Sequence, residues 1–360
     1  AMDSFWGYLA PLIIIIGITL LHLLLPARWL KGYINRPGSD EKSVYRLNGL
    51  LVLAFSAAIW FSLCNYGNLP YDWLYLHRWE GLAGAFFLGL IFTALVVFRY
   101  KPVRKSLIAD IFLGRAENIT LLNGKVDAKM WLYMVGAVML ELNVLSFAAH
   151  HNMTFAPEAS SGTLIATLLL TWFVTEYMFF ERVHLYTYDI FAERVGFKLG
   201  WGCLVFYPFF YTIPLWSTVH LPDPGLSSLY YILPVIIFFT GWGLARGANM
   251  QKYHFKRDPN RRFLWIKPES ITDGKNTLLV NGFWGASRHI NYLGEILMAI
   301  GIVLATGYPD IIWPWLYPLY YVILLFTREW DDDRRCTAKY GELWSEYKKR
   351  VKYRIIPFVY

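Results

Sequence analysis

The sequence predicts an all-α fold: a polytopic integral membrane protein of about nine to ten transmembrane helices, with no Rossmann domain. Three observations predict it. Of 360 residues, 56% are hydrophobic, 18% aromatic and only 17% charged, where a soluble domain carries about 25% charged residues. The apolar residues fall in long blocks, most reaching the roughly 17–25 residues that cross about 30 Å of hydrocarbon. Inside lipid the backbone must satisfy its own polar groups, so such blocks are helices. Finally, the cations crowd into alternate connections, as the positive-inside rule requires of cytoplasmic loops.

The first block, 9–25, has no basic stretch before it and no small-residue cleavage site after it, so it reads as a first span and not as a signal peptide. The segment 26–46 follows with Arg28, Lys31, Arg36, Lys42 and Arg46. Spans at 47–64 and 80–98 are joined by 65–79, where Arg78 is the lone Lys or Arg. The segment 99–129 holds seven cations, and the spans 130–149 and 162–180 flank a connection, 150–161, that holds none. A span at 199–219, a cation-free 220–228 and a span at 229–245 precede the basic loop 246–277, which holds eight. Blocks 292–307 and 311–326 lead into a tail rich in Lys and Arg. Nine spans put the N-terminus outside and the C-terminus in the cytoplasm; a tenth would move only the N-terminus. A bacterial inner membrane and an endoplasmic reticulum membrane suit this pattern equally. The net charge of +8 is explained by membrane lipids and implies no nucleic-acid partner.

Cys64, Cys203 and Cys336 lack any zinc or redox spacing, and the adjacent His150 and His151 have no nearby carboxylate or cysteine, so no metal is expected. Ionisable groups within spans are costly and functional by default. Glu141, with Asn143 beside it, lies in the fourth block, Glu176 and Glu181 bracket the end of the fifth, and Glu295 lies early in the eighth. Tyr177, Tyr186, Tyr188, Tyr207 and Tyr211 add phenols near the same level. In the loop 246–277, Lys252 and Lys256 share a helix face with Arg257 adjacent, a set that suits a phosphate. Asp258-Pro259 ends that helix. The glycines of GWGLARG, 241–247, are wrongly spaced for a dinucleotide fingerprint and follow a helix, not a strand. In the tail, Tyr340, Trp344 and Tyr347 form an aromatic stripe beside Arg335 and Lys339 that is either packing or a seat for a nucleotide. The most unusual stretch is FWGASRHINYLGE, 283–295, which sets Arg288, His289, Asn291, Tyr292 and Glu295 at the mouth of an apolar helix.

These residues carry a family resemblance. LLVNGFWGASRHINYLGE (278–295) resembles the L-L-x-S-G-W-W-G-x-x-R-H-x-N-Y-x-G-D signature of the sterol reductases. REWDDDRRCTAKYGELWSEYKKRVKYRIIPFVY (328–360) is similar to that family's C-terminal signature, ANMQKYHFKRDP (248–259) to its A-N-x-Q-K segment, and EYMFFERVHLYTYDIFAERVGF (176–197) to a further one. The family includes delta-14 sterol reductases, the lamin B receptor's membrane domain, 7-dehydrocholesterol reductase and delta-24(28) sterol reductase. The chain departs at Asn281, Phe283, Ile290, Glu295 and Lys352, none of which removes a charged group.

The resemblance implies two regions: residues 1–160 as N-terminal spans, and 161–360 as C-terminal spans and cytoplasmic tail forming NADPH and sterol pockets. It implies NADPH held by Lys252, Lys256, Arg257, Leu279, Trp284, Arg288, His289, Asn291, Tyr292, Arg328, Asp332, Arg335, Cys336, Thr337, Ala338, Lys339, Tyr340 and Tyr347. The substrate would be a sterol drawn from the bilayer, reduced most simply at delta-14, with delta-7 and delta-24(28) as alternatives. No obligate protein partner is implied. Because an isolated C=C must be protonated before it accepts hydride, an acid is needed. Tyr177, Glu181, Tyr211 and Asp189 are the candidates, with Tyr177 and Glu181 four apart on one helix face. Two rivals remain. Isoprenylcysteine and phospholipid methyltransferases share R-H-P-x-Y-x-G but are shorter and lack the A-N-x-Q-K segment. A non-catalytic sterol-binding relative would have no need of the cofactor-facing charges.

Overall fold

The computed structural model describes residues 2–360. Ten main helices carry the fold: α1 (Met2–Leu24), α2 (Gly49–Tyr66), α3 (Arg78–Phe98), α4 (Ala128–Phe155), α5 (Ser161–Phe179), α6 (Phe197–Trp216), α7 (Ile232–Arg257), α8 (Ile290–Ala305), α9 (Ile312–Tyr340) and α10 (Glu342–Arg350). Three short antiparallel hairpins sit in the connections, with no larger sheet among the described residues. Each of the nine apolar blocks became a helix or the apolar half of one. The number of spans is smaller than expected on length and composition: seven helices, α1–α7, are long and apolar enough to cross a membrane. At 16 residues α8 is about 24 Å long, short of about 30 Å of hydrocarbon. Helix α9 carries its apolar half and a charged half, from Arg328 on, in one continuous 29-residue helix.

The chain separates into two compact units, Ala1–Pro224 and Gly225–Tyr360. The division at 160/161 follows the sequence signatures and is a different quantity from compactness. In the first unit α4 is the centre, with 78% of its apolar window buried against 22–28% for α1, α2 and α3. Small residues let these helices touch: a Cβ at Gly84 would stand 2.1 Å from the Tyr8 carbonyl oxygen, so α3 lies directly on α1. Polar groups close the helix ends. Asp127 Oδ1 accepts from the Met130 amide to cap α4, and the Arg46 guanidinium donates to the His22, Leu23 and Leu25 carbonyls at the end of α1. Within α6 the residues Gly202–Phe210 widen into a π-helix that contains Pro208, and Asn143 Nδ2 donates to the Pro208 carbonyl at 2.9 Å.

Helices α4 and α5 form an antiparallel hairpin whose register is legible from three contacts. The Ser160 amide donates to His151 Nε2 at 2.8 Å, Thr171 Oγ1 donates to Glu141 Oε1 at 2.7 Å, and the rings of Tyr133 and Tyr177 lie 6.0 Å apart. Going from the turn, ten and then eight residues along α4 are matched by eleven and then six along α5.

In the second unit α7 and α8 pack backbone to backbone. A Cβ at Gly294 would stand 2.4 Å from the Gly241 carbonyl oxygen, and one at Gly301 would stand 2.9 Å from Phe238 and Pro234. Gly341, at φ +52°, turns α9 into α10. Beyond α10, residues 351–360 fold back: Ser287 Oγ donates to the Ile355 carbonyl, and the Arg288 and His289 amides donate to the Tyr353 and Arg354 carbonyls.

Candidate functional site

The polar mouth of α8 is built by three backbone devices. Gly282, at φ +65°, brings the chain so close to α7 that a Cβ there would meet Gln251 Nε2 at 2.4 Å. Gln251 then holds the next turn, accepting from the Phe283 amide at 3.0 Å. The turn Phe283–Ala286 presents the Trp284 indole, whose N–H donates to the Ala248 carbonyl at 2.8 Å. Ser287 is extended, so the amides of Arg288 and His289 point to the returning tail. Leu279, Ala248, Phe255, Trp284 and Ile290 make the apolar floor.

Charge converges above this floor. The Lys252 ammonium stands 5.1 Å over the Trp284 ring. Burial, then Lys252 and Arg288, push the His289 imidazole down to about 3. The ring is therefore neutral at physiological pH, so its 3.6 Å approach to Asp332 Oδ2 is not an ion pair, and it exceeds a hydrogen bond. His289 stacks on Tyr292, with centroids 4.7 Å apart. Burial raises the Asp332 carboxyl above the usual range, opposed by Lys252 and Arg335. Burial and the Asp332 charge push the Cys336 thiol up to about 12, which makes it a hydrogen-bond donor to Asp332 Oδ2 at 3.8 Å and not a thiolate. The Arg288 guanidinium is 3.9 Å from Asp333 Oδ1; burial lowers its basicity, and Asp333 and Glu329 offset this.

Half of the expected cofactor residues gather here: Lys252, Leu279, Trp284, Arg288, His289, Asn291, Tyr292, Asp332 and Cys336. Others stand differently. The Arg257 guanidinium is bound by the Tyr253 hydroxyl, one turn back on α7. Lys256 is half-buried on α7, and Arg328 is half-buried on α9. Arg335, Thr337, Ala338 and Lys339 are exposed along α9, with Lys339 4.9 Å over the Tyr340 ring. The aromatic stripe resolves largely as packing: Trp344 and Tyr347 stack at 4.8 Å and are buried with Ile271, Leu343 and Val351, while Tyr340 lies half-buried against them. Sequence reasoning missed three groups. Asp333 accepts from the Trp344 indole at 3.0 Å and lies 3.9 Å from Arg288 and Lys348. Glu329, 1% exposed, binds Arg354 at 3.3 Å. Gln251 shapes the turn. The run of three aspartates was a signal for the first; the other two depend on contacts across the fold.

The acid candidates lie in the first unit. The Glu181 carboxylate is buried and accepts the Gly49 amide at 2.6 Å, capping α2 from 132 residues away, so its partner is neither Tyr177 nor Arg182. Burial raises its carboxyl to about 7, with the Gly49 hydrogen bond opposing. Tyr177 stacks on His184, centroids 3.9 Å apart, with Tyr133 at 6.0 Å. Tyr211 is buried against Tyr207 at 4.7 Å and Phe173 at 6.3 Å. Asp189 opens a one-turn helix, Tyr188–Phe191, and is half-buried. His150 and His151 part company: His150 Nδ1 meets Asp72 Oδ2 at 2.9 Å, and His151 bridges the Val219 carbonyl and the Ser160 amide.

Comparison with known proteins agrees with the pattern of signatures. The profile of the Ergosterol biosynthesis ERG4/ERG24 family matches residues 5–360. The Delta(14)-sterol reductase of Arabidopsis thaliana is 31% identical over 352 residues, covering 94% of this chain and 91% of that protein. The Delta(14)-sterol reductase of Methylotuvimicrobium alcaliphilum is 31% identical over 387 residues, covering 100% and 87%. The 7-dehydrocholesterol reductase of Arabidopsis thaliana is 28% identical over 362 residues, covering 95% and 82%. With a full-length profile match and these relatives on the same signatures, this chain belongs to the ergosterol biosynthesis ERG4/ERG24 family.

Proposed function

We propose that this protein is an NADPH-dependent sterol reductase that saturates a sterol C=C, the ring bond delta-14 first, with the ring bond delta-7 and the side-chain bond delta-24(28) as the alternatives. The observation that carries the cofactor half is the pair of buried polar atoms left without hydrogen-bond partners at the α8 mouth, Arg288 Nε and Asn291 Oδ1. Buried polar atoms without a protein partner take one from a bound molecule or an ordered water. They stand in the cluster that holds the Lys252 ammonium and the Trp284 indole, a donor, acceptor and cation set that fits a molecule bearing phosphates and an amide. A reduced nicotinamide dinucleotide supplies hydride to an electron-poor carbon. Lys252 and Arg288 would hold its anionic part. Asn291 would take an amide or hydroxyl, and Trp284 and Leu279 would keep water from the reacting end.

The protein's own task is the proton. Saturation adds a proton to one alkene carbon and hydride to the other, and the proton must come first. Glu181, whose burial holds its proton to near pH 7, and Tyr177 supply it on this reading. The Delta(14)-sterol reductase names of the relatives in Arabidopsis, Methylotuvimicrobium and Schizosaccharomyces pombe favour delta-14; the 7-dehydrocholesterol reductase relative keeps delta-7 in view. The test is direct. Purified protein in detergent is titrated with NADPH, NADH and S-adenosylmethionine, then incubated with delta-14 and delta-7 diene sterols and read by gas chromatography with mass detection. Binding of S-adenosylmethionine without NADPH, or no saturation of any diene, would overturn the proposal.

A further inference from the structure

Glu141 is a buried ionisable group that the reduction chemistry does not use. It sits in the span α4, 4% exposed. One carboxylate oxygen accepts from Thr171 Oγ1 at 2.7 Å. The other, Oε2, is buried with no hydrogen-bond partner. A buried acceptor without a partner costs about 1–3 kcal/mol, and more when charged. If Thr171 were there only to glue α4 to α5, a Ser at position 141 could pair with a hydroxyl without leaving a second polar atom bare.

The hairpin register says how far this oxygen lies from the acid candidates. Tyr133 precedes Glu141 by eight residues on α4, and Tyr177 follows Thr171 by six on α5. At 1.5 Å per residue the Glu141–Thr171 pair lies about 9–12 Å deeper along the seam than the Tyr133–Tyr177 pair. That is about the length of a fused tetracyclic skeleton measured from the ring that bears the hydroxyl. The side chains near this seam are rich in rings: Phe173 and Tyr211 lie 6.3 Å apart, and a Cβ at Gly136 would meet the Tyr207 ring at 2.5 Å. Flat rings suit a flat, rigid hydrocarbon.

We propose that Glu141, oriented by Thr171, binds the hydroxyl of the sterol and so sets which ring bond stands at Tyr177. This rests on the sterol reductase reading and adds the residue that fixes substrate register. As a carboxylate, Oε2 accepts the alcohol's O–H; as an acid, it donates to the alcohol's oxygen. Either form pairs with an alcohol, and neither pairs with a hydrocarbon.

The test compares a diene sterol bearing its 3-hydroxyl with the 3-deoxy analogue, by turnover and by displacement of a fluorescent sterol. Wild type should prefer the hydroxylated sterol by at least about tenfold, one buried hydrogen bond, and carry the preference in KM. Glu141→Leu should bring the two substrates within about twofold while kcat on the deoxy analogue holds. Glu141→Gln, which keeps an acceptor and a donor, should restore part of the preference. A structural role would move both substrates together. If wild type binds and reduces both equally, or Glu141→Leu keeps the wild-type ratio, the proposal falls and the reductase reading stands. If Glu141→Leu does not fold, the wild-type ratio and the Gln variant still decide. Wild type that displaces sterol with the same preference but reduces neither diene overturns the reductase reading and leaves the hydroxyl site supported.

Discussion

Replacing Glu181 by glutamine separates its two roles. Its Oε1 accepts the Gly49 amide at 2.6 Å, and the glutamine carbonyl oxygen can accept that same N–H, so the α2 cap survives. The proton does not. Burial raises the Glu181 carboxyl from 4.5 to about 7, so wild type holds the acid form below pH 7 and loses it above. Turnover should be nearly flat from pH 5 to 6 and fall about tenfold per pH unit well above 7. Glu181→Gln should lose about 10²–10⁴-fold in turnover at pH 6 while NADPH affinity stays within about twofold. Wild-type stability should also fall with rising pH, over a lower window. The folded carboxyl binds its proton more tightly than the unfolded one, so wild type loses stability as pH rises from 4.5 to about 7. At about 1.4 kcal/mol per tenfold this reaches roughly 3 kcal/mol above pH 7. The glutamine variant should melt with wild type at pH 4 and above it at pH 8. Sterol turnover between pH 5 and 9, calorimetric cofactor binding and thermal melting in detergent make the measurement. A flat wild-type profile between pH 6 and 8, with the variant keeping more than half its turnover, would refute the reasoning and pass the acid role to Tyr177, Tyr211 or Asp189.

Tyr177→Phe should keep folding and NADPH binding but lose most sterol reduction; turnover above about half of wild type removes the phenol from the proton path. Arg335→Ala should weaken NADPH at least about tenfold by calorimetry, and unchanged affinity would leave Arg335 as a surface residue of α9. The Lys252→Ala, Lys256→Ala double variant should lose NADPH in preference to NADH; since Lys252 stands over Trp284 and beside Asp332, equal loss of both cofactors would mean that it organises the pocket instead of reading the extra phosphate. Arg354→Met removes the hydrogen-bonded partner of Glu329, 1% exposed, and should cost about 1–3 kcal/mol, visible as a lower melting temperature that Glu329→Gln in the same chain recovers.

What the sequence determined by itself was the helical, membrane-embedded class and the place of nearly every long helix. Hydropathy needs no partner: a block such as 80–98 must be a helix in lipid whatever lies beside it. Local motifs were legible for the same reason, since Trp284, Arg288, His289 and Asn291 fall within one short stretch, and so do Asp332 and Cys336. Span number was less legible, because α8 is a short helix and α9 joins an apolar half to a charged half without a break. Only the tertiary structure decided which groups meet. Glu181 was expected beside Tyr177 at helical spacing, yet its carboxylate is taken by Gly49, 132 residues away. Glu329 and Arg354, 25 residues apart, pair because the tail folds back onto α8 and brings Arg354 to α9. The bare oxygen of Glu141 depends on how α4 and α5 align, which a turn and three cross-helix contacts determine. Hydropathy is a property of each segment alone, whereas a buried carboxylate takes its partner from whichever element the folded chain brings within about 3 Å of it.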